Sequence, residues 1–172
     1  MSFTLDAYTA DGLLAGVAAT DGRLVDLLAG STTVDLDGAV LLPFDGPPER
    51  ADGRVRIDID DLLAVVAGPE SVPPFHASWH PMTVEAASYR ISGELPATPG
   101  FDPGRALARP TGPFILLGHV TVALRSHGVA AGQNEHALLW INRYAVEAVV
   151  GSLELGFFFP GARSSVEGHA IA

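Results

Sequence analysis

The sequence predicts an all-β fold built from two tandem small barrels, each of about five strands with one short helix. Three observations lead there: an ordered set of features that occurs twice, segments that alternate apolar and polar residues, and turn-forming residues spread along the whole chain. The 19 glycines and 13 prolines suit many turns between short strands better than a few long helices. Hydrophobic residues make up 48% of the chain, enough material for a substantial aliphatic core.

The repeat runs from Leu5 to Gly68 and again from Val84 to Gly151. Each half opens on an alternating segment, Leu5-Asp6-Ala7 and Val84-Glu85-Ala86. Each reaches a glycine, Gly16 or Gly93, and then an Ala-Thr-x-Gly turn, at Ala19–Gly22 and Ala97–Gly100. A short stretch with helical spacing follows, Arg23–Leu28 against Gly104–Ala108. A β-rich run comes next, Val34–Leu42 against Phe114–Leu124, and each half closes on an apolar strand. The spacing between matched positions drifts slightly, as small loop insertions in the second half would produce.

Within the first half, Arg54–Asp60 places Val55, Ile57 and Ile59 on one face and charges on the other, the signature of a half-buried strand. Residues 45–53 carry prolines without donors and turn-favouring glycines, so they predict the loop of a hairpin joining 39–44 to 54–60. His119–Arg125 alternates in the same way, with 126–135 as the corresponding loop.

The expected organisation is a first module over residues 1–68, a Pro-rich linker over 69–82 and a second module over 83–151. A C-terminal strand and mobile tail occupy 152–172. Four prolines in the linker argue against regular structure there. Phe75 and Trp79 are expected to pack over the junction. Leu153 and Leu155 suggest a last strand, and the final ten residues read as mobile.

The second half resembles the Sm-like small barrel, the fold of Sm and Hfq-type proteins. A bent strand carrying a glycine (Tyr89–Leu95), an apolar strand (Phe114–Leu117) and a closing element (Trp140–Val149) carry the resemblance. Ile57–Val66 is a fainter version in the first half. Both halves are also similar to an uncharacterised bacterial domain with a Gly…Arg-Leu-x-Asp-x-Leu stretch, matched by Arg23, Leu24, Asp26 and Leu28. The resemblance implies the fold, and strand edges able to pair between subunits. The family's RNA site would fall on Asn142 and Arg143 in the second half, whereas the first half offers Asp60-Asp61, which repels phosphate.

Charge narrows the function. The formal net charge is −10 and every basic residue is one of 10 dispersed arginines, since lysine is absent. No basic stripe exists to displace counterions, which argues against DNA, RNA and anionic membrane as partners. The absence of lysine also excludes a P-loop or Schiff-base lysine, and the absence of cysteine excludes disulfides and thiolate chemistry. The N-terminal segment shows no signal-peptide pattern and no apolar run approaches the ~20 residues of a spanning helix, so the expected location is the cytoplasm.

Candidate chemistry is sparse. His76 and His80 stand at i, i+4, a metal-ligating spacing if the segment is helical, but with no zincin glutamate and with prolines on both sides. His119, His127 and His136 fall on one expected hairpin without cupin spacing. No nucleophile elbow or Gly-rich phosphate loop is present. Three consecutive phenylalanines, Phe157, Phe158 and Phe159, cannot all face one side of a strand, and with Trp79 and Phe75 they are the candidate partner-binding residues. The expectation is a non-catalytic module without cofactor that self-associates or binds a protein partner. The alternatives are a histidine-based metal protein or enzyme, and an Sm-like RNA binder.

Overall fold

The structure is a computed structural model that describes residues 2–20, 22–73, 75–97, 99–100, 112–126 and 133–168. The second-half helical stretch at 104–108 and His127 lie outside the described residues. The fold is all-β: the described residues form a single mixed sheet with one short helix.

β1 (Ser2–Thr9) and β2 (Gly12–Ala19) form a hairpin closed by Ala10 and Asp11. α1 (Leu24–Gly30) follows, burying Leu24, Leu27 and Leu28 at the spacing of one helical face. Asp26 meets the Arg23 backbone and guanidinium at its start. β3 (Thr33–Pro43) then runs into the Pro/Gly loop, where β4 (Glu49–Arg50) adds two paired residues, and the chain returns as β5 (Arg54–Asp58). Arg54 and Arg56 fork onto Asp37 and Asp35 across the β3–β5 ladder, and these guanidinium bonds hold both carboxyls below the ordinary carboxylate range. A 3-10 turn (Ile59–Asp61) leads to β6 (Ala64–Val66).

β7 (Ser78–Ala86), β8 (Tyr89–Ala97), β9 (Phe114–Leu124) and β10 (Asn134–Asn142) form an antiparallel meander, followed by β11 (Ala148–Gly151). The sheet order is β12-β11-β7-β8-β9-β10-β6-β1-β2-β3-β4, with β5 also on β3.

The pairing of the first half recurs in the second. Leu5 faces Gly16 as Met82 faces Gly93. Beside each glycine the ladder slips by one residue, from Ala15/Val40 to Val17/Asp37 and from Ser92/Thr121 to Glu94/Gly118. One glycine therefore opposes two residues of the third strand, Gly38-Ala39 or His119-Val120, which is a β-bulge that bends the sheet. The last strand closes on the first in matching register, Tyr8↔Ala64 and Glu85↔Ala148. Matching backbone bonds support it: Leu63 N–H donates to Tyr8 at 2.8 Å and Glu147 N–H to Glu85 at 2.8 Å.

Two cores form. Leu5, Leu14, Leu36, Leu62 and the α1 leucines fill one, and Val84, Ile91, Leu117, Leu139 and Ile141 lie in the other. Three central strands serve both. Ala7 and Val65 enter the first core while their neighbours Tyr8 and Ala64 enter the second, and Trp140 packs on the first between Leu139 and Ile141 of the second.

Two expectations are corrected. Residues 78–82 of the linker belong to β7 and are not irregular. Pro81 is tolerated because it lies just past the end of the β11 ladder, which stops at Met82: its carbonyl still accepts from the Ser152 N–H at 3.2 Å, and only the reciprocal bond is forgone. In the tail, Leu153 and Leu155 precede a 3-10 turn (Gly156–Phe158) and form no strand; the last strand is β12 (Arg163–Val166), parallel to β11. Residues 163–166, read as part of a mobile end, are therefore paired.

Candidate interaction surfaces

The phenylalanine triplet splits. Phe158 (8% exposed) and Phe159 (0%) lie in the second core, whereas Phe157 is 58% exposed. The 3-10 turn directs the three rings apart. Arg143 holds this segment from beneath: its Nε donates to the Phe158 carbonyl at 2.8 Å and its Nη2 to the Phe157 carbonyl at 3.2 Å. Asn142 is also buried, donating to the Leu62 carbonyl at 3.2 Å and accepting from the Tyr144 N–H at 3.1 Å. The two residues singled out for RNA thus spend these polar atoms on the chain's own backbone.

Phe75 is 87% exposed and packs its ring on His76, centroids 4.1 Å apart. His76 has a left-handed backbone (φ 55), and His80 sits in extended β7, so the two share no helical face. Among the described residues no group of three or more His, Asp or Glu side chains is arranged to hold a metal ion.

Trp79 meets a residue from the expected histidine hairpin. Its indole covers Gly118 and contacts the His119 ring, centroids 5.1 Å apart. His119 Nδ1 is bonded to Glu94 at 2.5 Å. His119 has φ 50, and the first half places Gly38, φ 61, at the same bulge position. A histidine therefore accepts a conformation that glycine adopts without strain, and the bulge turns its ring toward Glu94 and Trp79. Sequence pattern alone signals neither Glu94 nor this backbone. His136 lies elsewhere, its Nε2 2.7 Å from the Tyr8 hydroxyl. Burial holds its imidazole below the usual value and raises the Tyr8 phenol.

The ends of the sheet differ. Among the described residues β5 has β3 as its only strand neighbour, so its outer edge is open. β11 is covered on its outer side by β12, four residues of which Arg163, Ser164 and Ser165 are exposed. In the sheet interior, the outer edge of β10 docks on β6 through Leu139↔Val66, Trp140↔Val65 and Ile141↔Ala64.

Fold and surfaces together define a class: an all-β protein whose described residues form one mixed sheet, with β5 open on its outer side among them and β11 covered by β12. No protein-family model, no curated protein and no solved structure matches the chain.

Proposed function

We propose that the chain is a duplicated pair of Sm-like small barrels serving as a non-catalytic, self-associating module. The carrying observation is the β10–β6 junction, which joins the fourth strand of one half to the last strand of the other. The repeat leaves one more pair of such edges at the ends of the sheet. β5 corresponds to β10 and is open, and β11 corresponds to β6 and carries only β12. Pairing β5 of one copy with β11 of another extends the sheet head to tail, in the register Ile57 to Ala148 and Val55 to Val150. β12 is then a removable cover, anchored upstream by Phe158, Phe159 and Arg143 but itself mostly exposed.

The test compares the full chain with one ending at Ala162. Light scattering on a sizing column should show the shortened chain forming larger species with rising concentration, and more readily at higher salt, because copies of net charge −10 repel. Cysteines placed at Ile57 and Ala148 in this cysteine-free chain should cross-link copies of the shortened form and spare the full one. A shortened chain that stays monomeric and uncross-linked at high concentration overturns the proposal.

A further inference from the structure

The first half contains a cleft of about 490 Å³. Its floor is Leu14, Ala39, Leu41, Val55 and Ile57. The matching registers place these opposite numbers in the second half: Ile91 for Leu14, Val120 for Ala39, Val122 for Leu41, Leu139 for Val55 and Ile141 for Ile57. Those five second-half residues are all buried in the second core, whereas Leu41, Val55 and Ile57 are only partly buried. Val120 and Leu139 are each larger than the residue they match. Leu41 is larger than its match Val122, so the first-half floor is lower only beside Ala39 and Val55.

The rim is charged on one side of neutrality. Asp11, Glu49 and Asp61 line the cleft together with Arg50. An apolar floor with an excess of carboxylates favours a ligand that is apolar in body and positive at its end. We infer that this cleft is a binding site for a small aromatic or branched-chain amine, whose ring or branch lies over Leu14, Ala39 and Val55. The ammonium then lies among Asp11, Glu49 and Asp61.

The experiment titrates the full chain with 2-phenylethylamine and with 3-phenylpropionate, an anion of similar shape, following methyl resonances of Leu14, Val55 and Ile57. The amine should shift them saturably and the acid at least tenfold more weakly. Asp61→Asn with Glu49→Gln should erase most of that preference. Ala39→Val with Val55→Leu, which copies the second half into the first, should raise the melting temperature and abolish the shifts. Equal affinity for amine and acid, no saturable shift with either, or a folded filled variant that still binds the amine overturns the inference. If the filled variant fails to fold by circular dichroism, the charge comparison in the parent chain decides.

Discussion

Replacing Arg143 by methionine tests whether that guanidinium is a clamp inside the fold. Methionine keeps an unbranched stem in the same space and removes the bonds to the Phe158 carbonyl at 2.8 Å and the Phe157 carbonyl at 3.2 Å. A hydrogen bond to a charged group contributes about 1.5–3 kcal/mol, so two represent roughly 3–6 kcal/mol. Relief from burying a cation offsets roughly 1–2 kcal/mol of this. The net loss is therefore about 2–4 kcal/mol, on the order of 10 °C in melting temperature for a chain of this length. Urea unfolding followed by tryptophan fluorescence measures it, with an unchanged slope showing that the same surface is exposed. Arg143→Lys should lose about half as much, because an ammonium is a point charge without the planar fork. A loss below about 0.5 kcal/mol for the methionine variant refutes the clamp and returns Arg143 to the solvent, where a phosphate could meet it.

Other expectations follow from single features. Gly118→Ala places a Cβ 2.3 Å from the Trp79 ring, so it should cost about 1–3 kcal/mol and shift the Trp79 emission in a Trp140→Phe background; unchanged emission counts against the packing described. His119→Gly should leave stability within about 1 kcal/mol of the parent, since relief of the left-handed backbone offsets the lost bond to Glu94, whereas His119→Val should cost about 1–3 kcal/mol; equal effects of the two would dismiss backbone strain. The folded imidazole of His136 titrates below its unfolded value of about 6.5, so its contribution is complete above that value and is lost as pH falls through it toward the folded one. The urea midpoint should decline between about pH 7.5 and pH 5, and His136→Gln should flatten that decline; an identical slope in the variant removes His136 as its source.

The elements most legible in the sequence are those whose local chemistry and burial agree. The Pro/Gly loop at 45–53 announced the hairpin of β3 and β5, and the leucine spacing after Arg23 announced α1. The paired glycines, Gly16 and Gly93, were visible as part of the repeat, but the bulge each one faces was not; a Cβ on either would lie a tight 3.1 Å from its neighbour. β7 was hidden by prolines that look like breakers, because the place of Pro81 at the end of the β11 ladder is a tertiary fact. β12 was hidden for the opposite reason. Arg163, Ser164 and Ser165 are exposed, so no apolar alternation betrays a strand held by its backbone pairing with β11 and by the Ser164 hydroxyl on Glu154. Among site residues, the aromatic character of Phe158 and Phe159 was visible, but their direction depended on the 3-10 turn and on Arg143. The first-half cleft is deepened by two small residues, Ala39 and Val55, whose significance emerges only beside their larger counterparts Val120 and Leu139.

β1, β6 and β10 each present neighbouring residues to different interiors. Neither half owns a complete boundary as a result. Heat or denaturant that loosens one wall uncovers oily surface on both sides of it in a single event, so one calorimetric peak should account for the whole chain. Severing the connection between β6 and β7 would not release two free-standing pieces, because each would carry a raw flank shaped by the other. Repetition of a pairing scheme here does not bring independence of melting.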